Sequence, residues 1–277
     1  MGLSTTNWLF VGIVLLYAAV SGLFVLYLAR GGVRIGRMAK GLLGVVLLLQ
    51  FGFLISDAFL VLDGRQPDRV QHTLTSISML VAVGYLLAAI RYRVTVLGAF
   101  VAPISLLLFL GAGLRQDGTS RITEVQPVLL PIHIALSILG IVAFAFAAVT
   151  AAGYLLQEHL LRTKRLGGVF ARLPALDTLD RLGFRLSLLG FPLLMAGIAI
   201  GSFWILQRPQ MFWELTASQG FAFASWLVFG AVIALRVAAG WSGGRAAIGI
   251  LVGFGLSVAV LFGYALGSSA NAAGSGL

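Results

Sequence analysis

Residues 131–165 read PIHIALSILGIVAFAFAAVTAAGYLLQEHLLRTKR. From Pro131 to Gln157 no side chain is charged, and the run then closes on Glu158, Arg162, Lys164 and Arg165. A helix of about 20 apolar residues crosses the roughly 30 Å hydrocarbon layer of a bilayer, so a run of this length ending in cations defines a membrane span. Seven further runs of the same kind lie outward from it. They cover 94–113, 73–90, 41–62 and 8–29 towards the N-terminus and 183–205, 217–237 and 246–267 towards the C-terminus, with the quoted span taken as 131–157. The chain is 60% hydrophobic and 10% charged, a balance that cannot form the surface of a soluble globule. The sequence therefore predicts an all-α integral membrane protein, a bundle of about eight transmembrane helices forming one domain over residues 1–267. The third and fourth spans are joined only by Arg91 to Arg93, which predicts a tight antiparallel hairpin. The uncharged Gly, Ser and Ala residues of 268–277 predict a disordered tail.

Nineteen Lys and Arg against nine Asp and Glu give a net charge of +10. In a soluble protein that balance points to nucleic acid. Here the cations sit at the ends of apolar runs, which marks membrane orientation and excludes nucleic acid as the partner. Fourteen of them fall on the odd-numbered connections: Arg30 to Lys40, Arg91 and Arg93, Arg162 to Arg185, and Arg236 with Arg245. Five, Arg65, Arg69, Arg115, Arg121 and Arg208, fall on the even-numbered ones, so the positive-inside rule places both termini outside. MGLSTTNWLF has no basic residue ahead of its apolar run, and the first span is expected to be retained rather than cleaved. The absence of cysteine excludes disulfides, thiolate metal sites and Cys-X-X-Cys redox chemistry.

Few side chains in this frame can carry chemistry. Of three histidines, His133 stands at the outer end of the fifth span, His72 at the outer start of the third, and His159 among basic residues at the inner end of the fifth. A neutral imidazole is a good haem or metal ligand, and His133 is placed to face an outer pocket. Asp57 lies deep in the second span, where a carboxylate is costly unless protonated or paired. Its available partners are Arg65, Arg69, Ser56 and Ser76, and snorkelling to the outer surface is the alternative. The outer connection FWILQRPQMFWELTASQGFAFASW, Phe203 to Trp226, leaves two readings open. Trp204 and Trp213 form either an interfacial aromatic belt or an apolar platform for a flat ring such as a porphyrin, with Arg208 pairing a propionate. On the cytoplasmic side Leu173, Leu176, Leu179 and Leu182 recur every third residue within Val169 to Arg185, predicting a short helix in the interface, either a bland surface element or a docking site. Alanines and glycines crowd the fifth and sixth spans and predict close helix packing, while Pro103 and Pro192 favour kinks. No zinc-protease helix, phosphate loop, nucleophile elbow or paired carboxylates are legible.

Three blocks, HIALSILGIVAFAFAAVTAAGYLLQEHLLRTKR, LPALDTLDRLGFRLSLLGFPLLMAGIAIGSFW and SWLVFGAVIALRVAAGWSGGRAAIGILVGFGLSVAVLFGYAL, stand in an order and spacing that resembles the cytochrome c assembly membrane-protein family, with its CcsA and HemX-like branches. The likeness runs from about Pro131 to Leu266 and more weakly over the four spans before, and GFPLL, GSFW and GWSGGRAA are its most specific segments. The resemblance implies haem as the cofactor, His133 as the outer axial ligand and so the metal-binding residue, and a haem-presenting aromatic loop over Phe212 to Trp226. It also implies residence in the bacterial cytoplasmic (inner) membrane, with the lipid bilayer and a second biogenesis or haem-synthesis protein as partners. This chain departs from the family pattern at several points. Leu215 and Thr216 replace the loop's Trp-Asp, and Ala217, Ser218 and Gln219 its Pro-Lys-Glu. Ala234 replaces a histidine in the seventh span, Ser56 and Asp57 stand near the position of another in the second, and none follows Tyr264.

The function expected is haem handling in cytochrome c assembly, holding or passing haem at the outer face through a degenerate tryptophan-rich loop, with no independent catalytic activity. A second expectation is a non-enzymatic HemX-like regulator or scaffold whose basic segment Arg162 to Arg185 engages a partner in haem biosynthesis or cytochrome biogenesis. A third, a small-molecule transporter using Asp57, calls for an internal inverted repeat that is not visible.

Overall fold

The computed structural model describes residues 5–62, 69–91, 94–113, 129–165, 167–206 and 217–274. Among the described residues regular structure is entirely helical: α1 (Thr5–Arg30), α2 (Val33–Leu62), α3 (Arg69–Arg91), α4 (Gly98–Gly111), α5 (Leu129–Arg162), α6 (Leu176–Leu206), α7 (Ala217–Ala239) and α8 (Gly244–Gly274). Six of these, α1, α2, α3, α5, α6 and α7, are long and apolar enough to cross a bilayer. The other two contribute the shorter apolar stretches Thr95–Gly111, which begins with a 3-10 turn, and Gly244–Val260. The protein is a multi-pass helical membrane protein.

Apart from α4, which falls inside its expected span, the helices overrun the spans read from the sequence. α5 has 34 residues, about 51 Å at 1.5 Å per residue, so it must tilt or extend beyond the hydrocarbon layer. Pro103 and Pro192 both lie inside continuous helices. α8 carries helical backbone to Gly274 and takes in most of the segment whose composition suggested a disordered tail; Ala270, Ala272 and Ala273 there are strong helix formers. The interfacial helix expected over Val169 to Arg185 is corrected. A 3-10 turn over Phe170–Arg172 ends in extended backbone at Leu173, and α6 starts at Leu176 and runs unbroken into the membrane span. Pro174 blocks helix upstream, and nothing after Leu176 interrupts it.

The chain divides into two compact units, Met1–Arg115 with Ala152–Thr178, and Gln116–Ala151 with Leu179–Leu277. In the first, α1 packs on α2 and α4, and α3 on α2 and α4. The hairpin between α3 and α4 is locked by the Tyr85 hydroxyl, which donates to the Thr95 carbonyl at 2.9 Å. α1 stops because Gly31 and Gly32 take left-handed φ of +75° and +101°, the usual helix terminator where no Cβ is present. The carbonyls it leaves are gathered by one arginine. Arg172 donates through Nη1 to Leu28 O at 2.7 Å and Tyr27 O at 3.3 Å, and through Nη2 to Arg30 O at 3.0 Å, and a cation also suits the negative end of the helix dipole. Arg172→Ala is expected to loosen the 167–175 segment by about 1.5–3 kcal/mol, the range for hydrogen bonds to a charged group, without unfolding α1. Hydrogen–deuterium exchange should rise at the Arg172 and Leu173 amides, which bond within this turn, while the amides of α1 keep their protection.

Candidate functional site

In the second unit α5 and α6 run antiparallel at very close range, and small residues permit it. A Cβ on Gly140 would lie 3.0 Å from the Leu194 amide nitrogen and 3.4 Å from the Gly190 carbonyl. The same ladder places Phe144 over Gly190, Ser137 over Gly197 and His133 over Gly201. Each step is three or four residues on either helix, the spacing that keeps one face of a helix in contact. Ala143, Ala145, Ala147, Ala148 and Ala151 are buried, as the crowding of small residues predicted. α7 and α8 complete the unit. Phe229 stacks on Phe144 with ring centroids 3.6 Å apart, and Trp226 stacks on Phe191 at 5.6 Å. The Ser225 and Ser257 hydroxyls meet at 2.6 Å.

The ladder ends at the one histidine that sequence singled out. His133 is half-buried, and its Nδ1 lies 2.8 Å from the Gly197 carbonyl oxygen. A carbonyl can only accept, so Nδ1 carries the proton and the lone pair of the neutral ring lies on Nε2. This is how metal-ligating histidines are oriented: one ring nitrogen donates to a carbonyl, and the other is presented to the ligand. Gly201 contributes by lacking a side chain, since a Cβ there would lie 3.1 Å from His133 Cε1. Among the described residues no three His, Asp or Glu side chains cluster as metal ligands. A haem asks for less, because one imidazole is a complete axial contribution, and the His133 geometry fits that role.

The other expected site residues are placed only in part. Trp204 follows Gly201 by three residues on α6 and Asp57 lies on α2, but both side chains are outside the described residues, as are Arg208 and Trp213 entirely. The hydroxyls proposed to partner Asp57 are engaged on their own helices: Ser56 donates to Phe53 O at 2.7 Å and Ser76 to His72 O at 2.8 Å. His159 is exposed and His72 half-buried.

Near the start of α6 lies an arrangement that sequence reading missed. Arg236 of α7 forms a two-pronged pair with Asp180, Nη1 to Oδ1 at 2.9 Å and Nη2 to Oδ2 at 2.6 Å. The Gly243 amide, in the turn before α8, donates to the same Oδ1 at 3.0 Å, and the guanidinium rests 4.5 Å from the centroid of the Phe184 ring. The side chains are 17% and 15% exposed, so this is a part-buried pair that ties α6 to α7 and to the turn before α8. The signal was available in part: acids enter the sixth span (Asp177, Asp180) and a base, Arg236, leaves the seventh on the same side, where a charge is costly unless paired.

The fold and site so far define a class: a multi-pass helical membrane protein with a single carbonyl-oriented histidine towards one end of a close-packed helix pair. Over residues 39–269 the sequence matches the family described as Cytochrome C assembly protein, and the chain belongs to that family. Protein HemX of Brevibacillus brevis is 28% identical over 210 residues, 73% of this chain and 75% of that protein. The cytochrome c biogenesis protein CcsA of Guillardia theta is 28% identical over 201 residues, 64% of this chain and 66% of that protein. The CcsA of Synechococcus elongatus is 41% identical over 80 residues, 29% of this chain and only 25% of that protein. No solved structure matches the chain.

Proposed function

We propose that this protein acts in cytochrome c assembly as a haem-handling component with His133 as an axial ligand, and that it catalyses no reaction of its own. The observation that supports the proposal is the bond between His133 Nδ1 and Gly197 O at 2.8 Å, which holds the ring in the orientation typical of a metal-ligating histidine. Haem, when bound, supplies an iron with an axial position for an imidazole. The chain holds the ring in one tautomer through Gly197 and leaves it room at Gly201. Trp204 and Trp213 as ring walls and Arg208 as a propionate partner belong to the same proposal, argued from the sequence of the outer connection alone. So do the topology and location: eight spans in the bacterial cytoplasmic membrane with both termini outside, which set His133 on the outer side.

Holo-cytochrome c in cells tests this. In a strain lacking the native gene, His133→Ala should restore holo-cytochrome c on the order of tenfold or more below the parent, and His72→Ala should restore it fully. Full restoration by His133→Ala would contradict the proposal. Gly201→Leu is expected to push the imidazole off its position and weaken haem binding by about 10–100-fold while the protein still folds, read by haem titration of the purified variant.

The likeness to a HemX protein over three quarters of that protein's length favours a second reading, a regulator or scaffold for an enzyme of haem synthesis. Lys164 and Arg165 are exposed, and Arg162 is tied to Glu158 at 2.8 Å. Under this reading Lys164→Glu with Arg165→Glu abolishes co-purification of a cytoplasmic partner, and His133→Ala leaves it intact.

A further inference from the structure

The middle of the first unit contains a polar layer that the haem proposal does not use. Tyr17, Gln50, Thr75, Ser78 and Ser105 come from the interiors of α1, α2, α3 and α4 and are all fully buried. Tyr17 donates its hydroxyl proton to Gln50 Oε1 at 2.7 Å, and Gln50 Nε2 donates to Thr75 O at 3.1 Å. Ser78 donates its proton to Ser105 O at 2.8 Å. Ser78 also approaches the Tyr17 oxygen at 3.5 Å, a longer second contact for its one proton, and both hydroxyl oxygens keep acceptor capacity. Thr75 Oγ1 and Ser105 Oγ are buried and have no hydrogen-bond partner among the described residues.

Hydroxyls that can both donate and accept thus share one buried layer with oxygens that can still accept, within apolar helices whose surrounding lipid offers no partner. None of the five side chains is ionised, and a cation there would bring an uncompensated charge to the centre of an apolar layer. The layer is also closed at both ends. Phe10, Phe53 and Phe109 pack together on one side, with Phe109 4.8 Å from Phe10 and 6.1 Å from Phe53, and Phe24 meets Tyr85 edge-on at 5.5 Å on the other. That geometry suits neither a pore nor an ion path.

We infer that this layer is a closed binding site for ordered water, which bridges Thr75 Oγ1 and Ser105 Oγ to the open oxygens of Tyr17 and Ser78 and so holds the four helices of the first unit in register. Water meets the requirement of two to four polar partners that a buried molecule needs. The opposing possibility is a dry layer in which the two hydroxyls turn onto carbonyls of their own helices.

Radiolytic hydroxyl-radical footprinting of the intact protein in micelles separates the two, because bound water generates the radical in place. Tyr17 is 0% exposed, yet it should be oxidised on the order of tenfold or more above Phe24, Phe144 and Phe229, which are also 0% exposed, after correction for intrinsic reactivity. The isosteric pair Thr75→Val with Ser105→Ala should return Tyr17 to the level of those rings. Labelling of Tyr17 at their level in the parent overturns the inference, as does full labelling that persists in a folded double variant. If that variant does not fold, the parent measurement alone decides.

Discussion

Asp180→Ala is expected to lower the stability of the second unit by about 1.5–3 kcal/mol, the range for hydrogen bonds to a charged group, since the pair is part-buried. The cost comes from what remains. Arg236 would keep its charge beside Phe184 without its two-pronged carboxylate partner, and the Gly243 amide would lose its acceptor as well. Because the pair is 15–17% exposed, some water can reach the orphaned guanidinium, and the lower part of that range is expected. Thermal unfolding in micelles, followed by near-ultraviolet circular dichroism, reads the effect as a fall in melting temperature. Removing both charges, Asp180→Leu with Arg236→Met, should recover most of the loss, since an apolar replacement of a buried pair is often neutral. Unchanged melting of Asp180→Ala would show that the pair carries no stability.

The second large effect is at Gly140. A leucine there meets backbone, the Leu194 nitrogen and the Gly190 carbonyl, rather than a side chain that could turn away. α5 and α6 would have to separate, at a cost of about 1–3 kcal/mol or more for overpacking. The consequence reaches His133, because the bond from Nδ1 to Gly197 O is made across the same interface two turns away. Gly140→Leu should therefore lower the melting temperature and weaken haem binding together. Gly12→Leu, at a position where a Cβ meets nothing within 4 Å, should do neither. Haem binding that survives intact in a destabilised Gly140→Leu would uncouple the histidine from the helix contact.

Much of the fold could be read from the sequence because membrane spans announce themselves by length. All eight apolar runs have a helix over them, and the alanine and glycine face of α5 is buried as its composition implied. The leucines of Val169 to Arg185 misled for a physical reason: a three-residue repeat looks amphipathic whether the helix lies on the membrane or enters it, and Pro174 alone sets the start of α6. His133 was legible as a scarce residue type at the end of a span. Its orientation was not, because the acceptor is a backbone carbonyl 64 residues away and carbonyls leave no trace in a sequence. Arg236 reads from the sequence as an end cation and Asp180 as one polar residue among the leucines of Val169 to Arg185, and their pairing across 56 residues is a property of packing that the sequence does not display.

The central claim is that His133 ligates haem through Nε2. The most direct test is the visible absorption spectrum of the purified protein titrated with haem, recorded for the parent, for His133→Ala, and for His133→Gly with and without added imidazole. A saturable Soret shift in the parent that is lost in His133→Ala and returns when imidazole is supplied to His133→Gly is the result expected. The same spectrum and affinity in the parent and in His133→Ala would contradict it.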